Sequence, residues 1–246
     1  MSTSGLPSIS EIRRLTDLIG EEIDPRSNRR VSKDADLYQI QIAIKYQFLI
    51  AAEVSEVSGP YRPTGEPLKN AHSTKIENEN VAIFFTKKNR QIKENEIQLK
   101  GTCIPLNKEF EPWAQEVFDY VTDNPEPFSF NENPLSSKRQ LEGAIEEIFK
   151  PVRWDNSIYN KIMFNQRTES KWADFKSNCV KKARLLDLKL NYEFDRGKLF
   201  SFTSYLDDYD NIDYAQPQKA FQLFRRIGES YFKSLCKRTY SIHTNI

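Results

Sequence analysis

Apolar positions recur at helical spacing through most of this chain and form β-rich runs in one short region. The most apolar stretch runs from Leu37 to Glu56. Leu37, Ile40, Ile44, Phe48 and Ala51 line one face, and Ile42, Tyr46 and Leu49 widen it, so the pattern predicts one buried helix. Ser58-Gly59-Pro60 and Pro63-Thr64-Gly65 stop it. Val81-Ala82-Ile83-Phe84-Phe85 then reads as a strand, and Ile97 to Leu106 as a second. Between them lies a polar, basic turn, Thr86-Lys87-Lys88-Asn89-Arg90-Gln91-Ile92-Lys93. Phe110, Trp113, Val117 and Val121 mark a further amphipathic helix, broken by Pro125 and Pro127.

Three more helices follow from the same periodicity: Arg139 to Phe149, Ser170 to Leu190, and Ala220 to Cys236 with Phe221, Phe224, Ile227, Tyr231 and Leu235 on its apolar face. Gly197 to Leu206 reads as a short helix before the acidic loop Asp207-Asp208-Tyr209-Asp210. The first 36 residues are polar and include Pro25-Arg26-Ser27-Asn28-Arg29-Arg30. They are expected as a loose basic arm with a short helix over Ile12 to Ile19, capped by Ser10. The sum is a mainly α chain with a small antiparallel sheet, an α+β class. Its expected parts are an arm (1–36), a core domain (37–216) and a C-terminal helix with a tail (217–246).

Composition narrows the chemistry. The mean hydropathy of −0.67 and the absence of any apolar run near ~20 residues give no membrane span. Met1 to Ser10 shows no basic region followed by an apolar one, so no secretory signal is expected. Cys103, Cys179 and Cys236 are odd in number and far apart, which suits a reducing, cytoplasmic setting and neither a disulfide framework nor a zinc site. His72 and His243 read as surface histidines, and no metal or other cofactor is expected. With only 8 glycines there is no phosphate-cradling loop, and no G-x-S-x-G or H-E-x-x-H occurs. The net charge of +1, from 36 basic and 35 acidic residues, leaves any nucleic-acid affinity to local clusters.

One order of motifs stands out. The apolar helix ends in Ala51-Ala52-Glu53-Val54-Ser55-Glu56-Val57; a strand, a basic turn and a strand ending Ile104-Pro105-Leu106 follow. Downstream come Asn178-Cys179-Val180-Lys181-Lys182-Ala183-Arg184, then Ser204-Tyr205, then Tyr214 nine residues after Tyr205. This order resembles the tyrosine-recombinase (phage-integrase) catalytic domain over roughly residues 37 to 216, closest in character to archaeal integrase-like proteins. In that family the apolar helix closes on the pattern tGxRxsEl, which residues 51 to 57 match in register. Ser55 and Glu56 match as they stand, and the first catalytic arginine falls on Glu53.

The resemblance implies that Lys87 or Lys88, in preference to Lys93, matches the general acid of the family's hairpin turn. The histidine of the family's H-x-L-R-H falls on Asn178 and its second arginine on Lys181, with Arg184 as a further arginine. Tyr205 takes the later His or Trp position, and Tyr214 that of the nucleophile. The chemistry needs paired arginine forks on the phosphoryl oxygens while tyrosine attacks phosphorus. Glu53 reverses charge there, Lys181 lacks the planar fork and Asn178 exchanges no proton. The resemblance therefore implies a duplex-DNA-binding protein of recombinase fold with a substituted, non-catalytic centre, nucleoid-associated when bound and serving a mobile element, plasmid or chromosome maintenance.

Candidate DNA contacts are Arg26, Arg29, Arg30, Lys87, Lys88, Arg90, Lys181, Lys182 and Arg184, any of which can equally be an ordinary solvated side chain. The C-terminal helix is a candidate homo-oligomer contact. Only about 36 residues precede the first core helix, so part of the family's N-terminal DNA-clamping domain is expected to be missing. Two alternatives remain open: a divergent but active recombinase using Tyr214, and a helical protein-interaction module with no DNA role.

Overall fold

The computed structural model describes residues 7–58, 71–76, 79–86, 100–109, 111–124, 128–130, 134–150, 179–185 and 187–188. They are mainly helical with one small three-stranded antiparallel sheet. They group into two compact units, one drawn from 1–60 and 128–186, the other from 61–127 and 187–246. Both sides of the boundary expected at residue 36 lie in the first unit, and residues 37–216 contribute to both.

The first unit is built on α2 (Leu37–Leu49), whose N-terminus is capped by Asp36. Every residue from Ile42 to Leu49 is buried, so the last two turns of α2 have no solvent face, while Tyr38 in its first turn is exposed. Even Lys45 is buried along its stem, its Nζ reaching Asp17 at 3.3 Å and Gln41 at 3.3 Å. Helix α1 (Ile9–Asp17) packs on α2 through Ile12 and Leu15. Gln41 Nε2 donates to the carbonyls of Thr16 and Asp17 at 3.1 and 3.3 Å and so satisfies the end of α1.

The N-cap of α1 is Ser8, where Ser10 was expected. Ser8 pairs with Glu11 in a reciprocal capping box, and Ser10 has no acid three residues on. The expectation of a loose arm is corrected as well. After α1, the 3-10 turn η1 (Pro25–Ser27) and residues 28–32 lie against α5 (Pro134–Ile148). Val31 is buried, Ser32 N–H donates to Gln140 Oε1 at 3.1 Å and Arg30 pairs with Glu146. The approach is close at Gly143, where a Cβ would stand 2.8 Å from Arg30 Cβ.

The helix expected over 37–56 is two helices. After α2 the chain turns at Ala51, which has φ +50°, and α3 (Val54–Val57) begins after Glu53. Ala51 N–H bonds Phe48 O at 3.2 Å and Ala52 N–H bonds Gln47 O at 3.0 Å, the paired bonds of a Schellman cap. Helix α5 starts five residues before the expected Arg139, with Pro134 at a first-turn position that needs no N–H. Cys179 to Leu185 are helical, within the helix expected over 170–190.

In the second unit, β2 (Glu79–Thr86) pairs antiparallel with β3 (Lys100–Pro105), the two expected strands, from Val81↔Pro105 to Thr86↔Lys100. A third strand, β1 (Ala71–Ile76), pairs with β2 from Ala71↔Phe84 to Ile76↔Glu79. Helix α4 (Ala114–Asp123) packs on β1 and β2. Trp113, Ala114, Val117 and Val121 are buried, and the Phe118 ring meets Phe84 edge-on at 6.4 Å. The helix closes at Asn124, the residue before Pro125. Among the described residues no helix is long and apolar enough to cross a membrane.

Candidate functional site

The junction of α2 and α3 holds the residues that carry the resemblance. The Schellman cap turns the chain at Ala51, so Ala52 is buried while Glu53 emerges with its side chain 45% exposed. Glu53 N–H donates to Glu56 Oε2 at 2.7 Å, one half of a capping box that fixes the first turn of α3. Val54 and Val57 face inward, and Ser58 Oγ donates to the Val54 carbonyl at 2.8 Å.

The 179–185 helix lies at this junction. Lys181 Nζ donates to Glu53 Oε1 at 2.8 Å, across 128 residues of sequence. The Lys181 side chain is 20% exposed, so the pair sits at the rim of the unit and water reaches both partners. One turn on, Arg184 is fully buried, its guanidinium 4.7 Å from the centroid of Phe48. Arg13 from α1 stands 5.9 Å from the same ring. Cys179, Val180 and Ala183 complete the buried face of this helix, and Lys182 is exposed.

Tyr46 sits behind the junction, its ring tilted at 42° and 5.0 Å from Phe128. Burial pushes its phenol far above the usual range, and the negative charge of Glu56 adds to the effect. Tyr46 therefore stays a neutral phenol and is not an activated nucleophile.

The expected site residues thus divide. Glu53 and Lys181 come together. Arg184, expected at phosphate, belongs to the core instead, since its fork turns onto an aromatic face that the apolar helix supplies. Arg30 is engaged by Glu146. Arg26 forms a fork with Asp24, 2.9 Å at both Nε–Oδ1 and Nη2–Oδ2, which holds the Asp24 carboxyl below its ordinary value. Arg29 and Lys182 are exposed. Lys87, Lys88, Lys93, Arg90, Asn178, Tyr205, Tyr214 and the helix expected over 220–236 lie outside the described residues.

Arg13 and Glu146 were missed in the sequence. Arg13 adjoins Ile12 on a helix read only for its apolar residues, and Glu146 is one of several acids on α5 with no local cue to Arg30. Comparison with known protein families, curated proteins and solved structures gave no match.

Proposed function

We propose that this chain is a duplex-DNA-binding protein of tyrosine-recombinase type whose phosphate-cleaving centre has been replaced by an internal ion pair. The observation that carries this reading is the contact between Glu53 and Lys181 at 2.8 Å. Under the resemblance these are the positions of the family's two arginines, which must converge on one phosphate. Residues 128 apart in sequence do not meet at hydrogen-bond distance by helical periodicity.

Two further features agree with it. The glycine of the tGxRxsEl pattern falls on Ala51, and Ala51 has the left-handed backbone that favours glycine, φ +50°. An antiparallel strand pair also follows α3 in the chain and ends at Pro105. With Glu53 and Lys181 neutralising each other and Arg184 buried, the described residues at this junction supply no converging positive charge of the kind that phosphoryl transfer needs.

The experiment is fluorescence anisotropy of the full chain with unrelated labelled duplexes over a salt series. Binding on this account is micromolar or weaker, insensitive to sequence, and falls linearly in logarithm with the logarithm of salt. Charge reversal at Lys87, Lys88 and Lys182 together weakens it. No salt-dependent binding to any duplex defeats the proposal.

One observation favours a second reading, a helical protein-interaction module. Four of the proposed contacts, Arg26, Arg30, Lys181 and Arg184, are engaged by Asp24, Glu146, Glu53 and Phe48. The same titration separates the two readings.

A further inference from the structure

The pattern Arg-Arg-x-(Ser/Thr) occurs twice in this chain, as Arg13-Arg14-Leu15-Thr16 and as Arg29-Arg30-Val31-Ser32. Paired arginines two and three residues before a hydroxyl are what the acidic peptide groove of a basophilic protein kinase selects, by charge complementarity. The structure separates the two copies. Thr16 lies on α1 with its side chain enclosed, 0% exposed. Ser32 is exposed and lies outside the helices and strands. Its Oγ accepts a long bond from Asp34 N–H at 3.3 Å, which leaves the hydroxyl proton unengaged by that contact.

We propose that Ser32 is a phosphorylation site for a protein kinase that selects basic substrates, and that the seat of residues 28–32 on α5 gates it. In the step, Ser32 Oγ attacks the γ-phosphorus of ATP and the bond to the β–γ bridging oxygen breaks. ADP leaves with that oxygen, and the hydroxyl proton passes to the catalytic carboxylate of the kinase. The proposal goes beyond the DNA reading and does not depend on it.

The gate follows from how the segment is held. Arg29 is exposed, whereas Arg30 pairs with Glu146, Val31 is buried and Ser32 N–H donates to Gln140 Oε1 at 3.1 Å. A kinase groove takes both arginines at once, so 28–32 has to lift from α5 before Ser32 reacts. Lifting it is a local opening at the edge of the unit. The product is electrostatically different from the parent. Residues 24–34 carry four cations and two anions, and a phosphoserine adds about −1.5 to −2, which cancels the excess.

The test incubates the full-length chain with Mg-ATP and the catalytic subunit of cyclic-AMP-dependent protein kinase. Initial rates are measured and sites mapped by peptide mass spectrometry. Phosphate should appear on Ser32 and not on Thr16. Arg29→Ala should slow the reaction about tenfold or more, the size of one lost charge-assisted contact. Gly143→Ala, which crowds 28–31 off α5, should speed it about three- to tenfold by raising the open fraction. Val31→Ala, which removes the buried anchor from the other side, should do the same.

The site is refuted by a Ser32 that stays unmodified in the parent and in both loosened variants, or by an Arg29→Ala rate equal to the parent's. The gate is refuted by unchanged rates in Gly143→Ala and Val31→Ala. Thr16 reports on unfolding: its modification along with Ser32 in the parent would show that the kinase reads an unfolded chain and would overturn selection by the fold.

Discussion

Arg184 lies fully buried with its guanidinium 4.7 Å from the centre of the Phe48 ring, one helical turn from Lys181 at the rim. The same short helix thus spends one cation on the core and presents another to a carboxylate. A buried guanidinium over an aromatic face is stabilised by the ring quadrupole and by contact area together. This explains why a residue expected at phosphate is unavailable to it.

A double-mutant cycle checks this pair. Phe48→Leu and Arg184→Met each remove the cation–ring contact while keeping apolar volume. Their effects on denaturant midpoint should be non-additive, with a coupling of about 0.5–2 kcal/mol. Strict additivity means that the ring and the guanidinium do not act on each other.

The turn at Ala51 yields a second prediction. Its left-handed backbone costs an L-residue about 1–2 kcal/mol, which glycine avoids. Glycine also loses a buried methyl group and loosens the unfolded chain, together about the same amount. Ala51→Gly should therefore change unfolding free energy by less than about 1 kcal/mol. Ala51→Val adds a branched side chain at positive φ in a buried site and should cost more than about 2 kcal/mol. Equal costs in urea titrations would refute a left-handed Ala51.

The Schellman cap also shows what the sequence could reveal. The apolar period from Leu37 marked α2 correctly, yet it continued through Ala51 and Val54 because the break uses alanine, which is the strongest helix former. The strand pair was legible from Val81 to Phe85 and before Pro105, where β-branched and aromatic residues cluster. Strand β1, Ala-His-Ser-Thr-Lys-Ile, was not, because its stability comes from pairing with β2 and its own residues are mostly polar. At the site, the motif register brought out Glu53 and Lys181. That Arg184 would fall into the core depends on tertiary packing, which local pattern does not encode.

Alkaline stability follows from Tyr46. Burial holds its phenol neutral, with its ionisation raised well above the ordinary 10.0. The unfolded chain releases this proton near the ordinary value and the folded chain does not. Stability from this group is therefore intact below about pH 10 and declines as pH rises above it, by about 1.4 kcal/mol per pH unit. Tyr46→Phe should remove one proton's worth of that slope in unfolding titrations. An unchanged slope would show that Tyr46 ionises freely in the folded state.

Gly143 tests the packing of the N-terminal segment on α5. Alanine would gain about 1 kcal/mol of helix propensity. Its Cβ, however, would stand 2.8 Å from Arg30 Cβ and 3.2 Å from Asn28 Oδ1, contacts that force the 28–31 segment outward. Overpacking of this kind costs about 1–3 kcal/mol. Gly143→Ala should therefore destabilise, and Gly143→Leu more so, read as a lower denaturant midpoint. Stabilisation by alanine would mean that 28–31 does not rest on α5.

Covalent chemistry gives the last prediction, which follows from the proposed function. Suicide duplex substrates should not trap this protein through Tyr214. In the family two arginines place positive charge on the phosphate, and loss of one such donor costs about 10²–10³ in rate. Here the matching positions hold Glu53 and Lys181, whose charges cancel across 2.8 Å. A phosphate entering here would find Lys181 already neutralised by Glu53, so the pair offers it no net attraction to offset the barrier. Each ~1.4 kcal/mol added to the barrier slows a step about tenfold. Arg184, the residue best placed in sequence to restore the charge, is committed to Phe48. Asp207, Asp208, Asp210 and Asp213 near Tyr214 in sequence add further negative charge. A Tyr214-dependent adduct with nicked DNA, lost in Tyr214→Phe, would overturn this account and require positive charge from a partner. Glu53→Arg combined with Lys181→Arg is the complementary trial: it should strengthen duplex binding and steepen its salt dependence even while cleavage stays absent.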